Sequence, residues 1–319
     1  MNSIAVIICT WNRRESLCKT LLSLQQQAAP PGVEVEVIVV DNNSTDGTAG
    51  AVDGLRPGWR LGSLRYVFER RQGKQFALNA GIAVSSADVL AFTDDDILFP
   101  QGWIAGICNT FADFRFDLVG GKTLLDWPPG GAPRWYADSM AAILGGVDLG
   151  GELLGSPPAG YAPAGANLIA RRSLFDRIGR FSEAHFRHMD YEFGMRCVQS
   201  KRAVAYDPAL VVLAPVDPQM LSKRYFRRWS FKAGISGPEE DAAGVAKLLG
   251  VPRWVFRQLA ADLLGYPLNV FRSPRDAFAR ELRLWRAAGT VASRWYVRLW
   301  PEKYPQWVEY YSQKKKNLY

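Results

Sequence analysis

The N-terminal half of the chain alternates short β-branched runs with segments of helical spacing, and few architectures accept that alternation. Residues 3–9 and 35–40 read as strands, and Leu17, Leu21, Leu22 and Leu24 between them recur at helical intervals. A strand at 64–68, a helix over 74–84 and a strand at 89–92 follow. A helix opening near Pro100 turns Trp103, Ile104 and Ile107 inward. Strand, helix, strand, helix with short links predicts an α/β fold, a mostly parallel Rossmann-like sheet flanked by helices. Regular structure resumes at 166–170 and 173–179, followed by a helix around 191–199 and a strand at 203–213. Residues 127–163 have many Gly and Pro and no period, which suggests a substrate loop or lid.

In such sheets ligands bind at the carboxyl ends of the strands. Polar residues collect there: Thr10-Trp11-Asn12-Arg13 after the first strand, Asp41-Asn42-Asn43-Ser44 after the second, Thr93-Asp94-Asp95-Asp96 after the fourth. Asp and Asn are common turn formers, but three clusters on one edge exceed what turns require. The adjacent carboxylates of Asp94, Asp95 and Asp96 repel one another. A divalent cation would remove that cost, and hard oxygen ligands suit Mg2+ or Mn2+ bridging a diphosphate. A solvated acidic turn is the plainer alternative. Asp41 could accept the N–H of a pyrimidine base or simply cap its own turn. Arg71 and Lys74, just before a helix, could neutralise a diphosphate or be surface cations. Asp190 and Glu192 stand two apart near a helix start and cannot share a face. One can point to the crevice while the other charges the helix N-terminus. His185 and His188 read as polar residues of the helix approach.

Charge is unevenly spread. Met220 to Tyr319 carries 19 Lys and Arg against 8 Asp and Glu, whereas Met1 to Gln219 carries 20 against 23. The basic last third therefore points to something anionic, with a peripheral membrane surface or a dimer interface as the two readings. No recognition motif accompanies the charge, which argues against nucleic acid. In this region Leu248, Val251, Val255, Leu259 and Leu263 suggest one helical stripe, and Ser273-Pro274-Arg275-Asp276 reads as a capped helix start. The four cysteines are scattered, with no CxxC pair, and the chain begins directly on a strand. Both features lead us to expect a cytoplasmic location, and the basic last third adds peripheral attachment to the inner face of the cytoplasmic membrane as one of its two readings.

The blocks SIAVIICTWNR, VIVVDNNSTDGT, RQGKQFALNAGI, VLAFTDDD and PAGANLIARRSLFDRIGRFSE resemble, in order and spacing, the inverting family 2 glycosyltransferases of the GT-A fold. The resemblance spans residues 3–215. It implies a nucleotide-diphospho-sugar site in which Thr10, Asn12, Arg13 and Asp41 hold the nucleoside. Arg71 and Lys74 would lie near the diphosphate or sugar, Asp94 near the sugar or ribose, with Asp95 beside it. Asp96 would hold the metal, Mg2+ or Mn2+. The family's acidic catalytic pair falls on Met189-Asp190, so Asp190 is the expected base, with Glu192 as substitute. Val212-Leu213-Ala214-Pro215-Val216 stands where many relatives carry a histidine, which leaves the metal with fewer protein ligands. Arg227-Arg228-Trp229 lacks the glutamine of the processive QxxRW signature, so a single sugar should be transferred.

The resemblance thus implies transfer from a UDP-sugar to a hydroxyl of a glycan or lipid-linked acceptor, in cell-surface polysaccharide or glycolipid synthesis. Two alternatives are a sugar-nucleotidyltransferase and a nucleotide-sugar-binding membrane-surface protein that Met189 has inactivated. The first is disfavoured, because no glycine-rich phosphate loop follows the first strand. We expect residues 1–218 to form the catalytic domain, 1–125 as donor half and 126–218 as acceptor and base half. Residues 219–319 would form the basic helical region.

Overall fold

The computed structural model describes residues 2–113, 115–183, 188–235 and 245–313. The expected alternation is there: β1 (Ser3–Thr10), α1 (Arg14–Leu24), β2 (Glu34–Asp41), α2 (Thr48–Leu55), β3 (Ser63–Phe68), α3 (Lys74–Val84), β4 (Val89–Asp94) and α4 (Trp103–Thr110). β5 (Leu118–Asp126), β6 (Leu168–Arg171), α5 (Arg172–Ile178), α6 (Met189–Gln199) and β7 (Val204–Pro215) complete the sheet and its cover. The seven strands lie in the order β3-β2-β1-β4-β6-β5-β7. All neighbours are parallel except β6, which runs antiparallel to both β4 and β5.

Successive side chains on a strand face opposite ways, so a buried parallel strand must be apolar on both. Ile4, Val6 and Ile8 of β1 pack with Leu17 and Leu21 of α1 and Ile104 and Ile107 of α4. Ala5 and Ile7 pack on the other side with Ala77, Leu78 and Ile82 of α3 and Phe193 of α6. Each of the Val, Leu, Ile and Phe side chains among these contributes about 1.5–3 kcal/mol on full burial.

β5 has no counterpart in the sequence reading. Its apolar run is broken by Gly120-Gly121, and the packing explains the break. A Cβ on Gly121 would lie 2.1 Å from the Asn167 amide nitrogen and 2.3 Å from the Leu210 carbonyl oxygen. Asn167 is buried here, donating to the carbonyls of Lys122 and Leu210 and accepting from the Trp103 indole at 3.1 Å.

Two compact units result, one of residues 1–126 with 145–215, the other of 127–144 with 216–319. The Gly- and Pro-rich stretch expected to act as one loop is therefore divided. Trp127–Leu144 belongs with the C-terminal elements, where the Trp135 ring meets Phe226 and Phe278 edge-on at 5.0 and 5.1 Å. Residues 145–163 stay with the sheet, Leu154 pairing with Tyr206.

The second unit contains α7 (Lys223–Ala233), a small hairpin of β8 (Lys247–Leu248) and β9 (Val251–Pro252), α8 (Arg253–Arg272), α9 (Pro274–Leu299) and α10 (Tyr304–Gln313). Ser273 caps α9 through the Asp276 amide, as its sequence suggested. The expected stripe from Leu248 to Leu263 is corrected. Leu248 and Val251 belong to the hairpin, and Val255 and Leu259 of α8 face inward, but Leu263 is 59% exposed. The inward position goes to Asp262, whose side chain is 1% exposed. Arg283 donates to both its oxygens, at 2.6 to 3.1 Å, and Arg280 and Gln258 add further bonds. Two α9 arginines thus make it favourable to bury an acid and leave a leucine outside.

Burial opposes the Asp262 charge, yet the hydrogen bonds from Arg283 and Gln258 prevail and hold its pKa below the usual carboxylate value. Its contribution is therefore present above the unfolded pKa of about 3.9 and lost as pH falls through the lower folded value. Asp262→Ala should destabilise the protein by about 2–3 kcal/mol at neutral pH, because the two arginines remain part-exposed and can hydrate. Urea denaturation at pH 7 measures this.

Candidate active site

The parallel register brings the polar clusters to one edge. Thr10 of β1 stands opposite Asp41 of β2, and Cys9 opposite Asp94 of β4. The loops beyond are stitched together by their own polar groups. The Asn12 amide donates to Ser44 Oγ at 2.8 Å, and Asn12 Oδ1 accepts from the Thr45 amide at 2.7 Å. Asn12 itself is left-handed (φ 50°), a conformation Asn tolerates better than most residues.

The three aspartates of the acidic run part company. Asp95 is 4% exposed and fully engaged, accepting from Thr10 Oγ1 at 2.7 Å and Arg13 Nη1 at 2.7 Å. The other arm of the Arg13 fork reaches Asp96 Oδ2 at 2.8 Å. Asp94 pairs with Lys74, the first residue of α3. Repulsion within the run is thus relieved by Arg13 and Lys74, and no metal is needed to keep these residues together. Asp94 and Asp96 remain part-exposed at the crevice.

Burial raises the Asp95 pKa to about 6, even though Arg13 and the Thr10 hydroxyl oppose the rise. At Lys74 burial acts against the charge, but Asp94, and more weakly Asp190, outweigh it and raise its pKa. Beneath them, burial pushes the Cys9 thiol up to about 12, so it is an inert wall group.

Asp41 makes the turn contact. Its Oδ1 accepts from the Ser44 amide at 2.9 Å and its Oδ2 from the Tyr66 hydroxyl at 2.7 Å. A base contact would need a second lone pair on one of these oxygens. Arg71 forks onto Glu69, lies 3.6 Å from Glu183 and covers the Phe76 ring. Sequence alone offered no signal for Tyr66 or Glu69.

Asp190 lies in the first turn of α6, its Oδ2 accepting from the Gly165 amide at 2.8 Å. A Cβ at Gly165 would stand 3.3 Å from Asp190 Oδ2 and 3.7 Å from Lys74 Nζ, so both charged groups border this glycine. Gly165 falls in the block PAGANLIARRSLFDRIGRFSE, where nothing in the sequence alone distinguishes it. Met189 is buried against the apolar layer around Phe193, so a carboxylate there would sit in the core. Glu192 is held by Arg196 at 2.8 Å, and Arg196 also binds the carbonyls of Ile178 and Arg180. That network ties Glu192 to the end of α5, whereas Asp190 faces Gly165 and Lys74. His188 is exposed at the N-cap of α6, and His185 lies outside the described residues.

Among the described residues no group of three or more His, Cys, Asp and Glu could hold a metal. The carboxylates of Asp94 and Asp96 are chemically suited to Mg2+ or Mn2+, but Lys74 and Arg13 occupy them. The donor set fits a cation that arrives with a diphosphate better than a preformed cage.

The model of the family described as Glycosyl transferase family 2 matches residues 5–136. The chain is similar to "Glycosyltransferase AglE" of Haloferax volcanii, 26% identical over 298 residues, covering 93% of this chain and 90% of the relative. It is also similar to "Succinoglycan biosynthesis protein ExoM" of Rhizobium meliloti, 28% identical over 72% of each chain. Among solved structures, a mannosyltransferase from Pyrobaculum calidifontis, in complex with GDP-Man and Mn2+, superposes with a TM-score of 0.62. Its identity is 20%, over 94% of this chain and 87% of that one, so the likeness is one of fold.

The raised pKa of Asp95 gives a test in metal-free buffer. The folded value lies above the ordinary 3.8, so its contribution to stability is full below that value and is lost as pH rises through about 6. Asp95→Asn should flatten the stability profile between about pH 4 and 6, measured by denaturant titration across that range in the presence of a chelator.

Proposed function

Because this chain belongs to glycosyl transferase family 2 and is a glycosyltransferase, we propose that it inverts the anomeric carbon while moving a single sugar from a nucleotide-diphospho-sugar to an acceptor hydroxyl. Family membership speaks against the nucleotidyltransferase alternative, and the donor hydrolysis assay below separates an active enzyme from an inactive binder. The observation that carries the proposal is the meeting of Asp190 and Lys74 at Gly165, on the edge that also bears Asp94.

In this mechanism the Asp190 carboxylate takes the acceptor hydroxyl proton while that oxygen attacks the anomeric carbon. The bond from this carbon to the diphosphate oxygen breaks on the opposite side, and the nucleoside diphosphate leaves with the electron pair. The Gly165 amide keeps the base in place. Lys74 shifts from Asp94 toward the leaving diphosphate and stabilises its growing charge. Asp96, with Asp94 beside it, would hold Mg2+ or Mn2+, whose chemistry there is neutralisation of the leaving diphosphate. Arg13, released from Asp96, adds a second cation, while Thr10 and Asp95 act as its positioning residues.

For the donor base we favour uracil, on the nucleoside side formed by Asn12 and Asp41. The GDP-Man of the similar solved structure makes guanine the competing reading. Acceptors would be glycans or lipid-linked sugars of the cell surface, in keeping with the polysaccharide named for the Rhizobium relative. We take the enzyme to work in the cytoplasm, as the four unbridged cysteines suggest.

Asp190→Asn should lower transfer by on the order of 10²–10⁴-fold and leave donor binding intact by calorimetry. Turnover at the parent rate would overturn the assignment. A panel of UDP- and GDP-sugars, assayed for hydrolysis with and without Mn2+, identifies the base. A chelator should abolish the hydrolysis of the preferred donor, and added Mn2+ should restore it.

A further inference from the structure

α8 buries the wrong side for an ordinary helix of its composition. Its inward face carries Val255, Leu259 and the clamped Asp262. Its outward stripe, at intervals of three and four residues, reads Arg253, Arg257, Ala260, Leu264 and Pro267, all exposed. Leu264 is 77% exposed, and Leu263 and Trp254 flank the stripe at 59% and 56%. Between Arg257 and Arg272 the only charged residue is Asp262, and it is hidden. The helix therefore shows solvent an apolar centre with arginines at both ends and no exposed acid.

We propose that this face of α8 docks on an anionic lipid surface. Arginines at the rim and leucine, proline and tryptophan between them are what an interfacial helix presents to headgroups and upper acyl chains. Charge decides against a second copy of the chain. A two-fold pairing of the face must be self-complementary. Antiparallel copies of α8 would set Arg253 and Arg257 of one helix toward Arg272 of the other, with no acid on either to compensate. A bilayer containing acidic lipids supplies the missing negative charge. The aliphatic stems of the arginines can lie along the apolar strip while their guanidinium groups stay among the headgroups. This docking surface is separate from the proposed catalytic residues, and its test does not depend on them.

The test is co-sedimentation of the full chain with vesicles of phosphatidylcholine alone and with vesicles that also contain phosphatidylglycerol. The expected result is binding to the acidic vesicles that fades with added salt. Leu264→Asp combined with Leu263→Asp should weaken it by roughly tenfold or more. Arg253→Glu combined with Arg257→Glu should weaken it on acidic vesicles. All four side chains are exposed, so the variants should keep the parent melting temperature and donor hydrolysis, both measured alongside. Leucine variants that pellet like the parent would overturn the proposal, as would equal binding to both vesicle types. So would a parent dimer in sedimentation equilibrium that Leu264→Asp converts to monomer, because the face would then belong to a second copy.

Discussion

The site depends first on register. β1 is hydrogen-bonded to β2 on one side and β4 on the other, all three parallel, so their carboxyl ends arrive at the same level. A slip of one residue on any of them would reverse its faces, sending core residues to the crevice side and polar ends inward. The two apolar layers prevent that slip, since each strand presents buried apolar side chains to both. Thr10, Asp41 and Asp94 are brought together by this requirement of the core.

Above that edge, two cations of the chain itself pair with the three aspartates. Arg13 spans Asp95 and Asp96, and Lys74 closes on Asp94. The resting arrangement resembles a lock filled with its own ions. Any anionic ligand must compete for these cations, and any metal for these carboxylates, so the two are expected to enter together. Asp95 is the member that stays, because its partners Thr10 and Arg13 both stem from the end of β1 and burial shuts water away.

How much of this could be read in the sequence differs by element. Parallel strands buried on both faces need unbroken apolar runs, and β1, β2 and β4 have them, so their order and crevice were legible. β5 was not, because the Gly120-Gly121 pair that admits Asn167 and Tyr161 also erases its apolar signature. Spacing showed that three acids follow β4 but not which would turn inward; that is decided by a threonine and an arginine more than eighty positions away. Spacing likewise separates Asp190 from Glu192 without showing which faces the crevice; Arg196, one helical turn later, draws Glu192 toward the end of α5. Asp262 inverted the expected face of α8 for the same reason: the arginines that permit its burial lie on another helix.

The place of β6 has a consequence for how the protein is made. It is inserted between β4 and β5, although it comes after both in the chain. While a ribosome is still short of Arg171, β4 has one open edge and β5 lacks both of its strand neighbours, since β6 and β7 are not yet synthesised. The first four strands can close as a parallel unit during translation. β5, made first of the remaining three, can join the sheet only through the later β6, with β7 outermost. Chains halted in that interval carry a bare sheet edge, the form most open to edge-to-edge association.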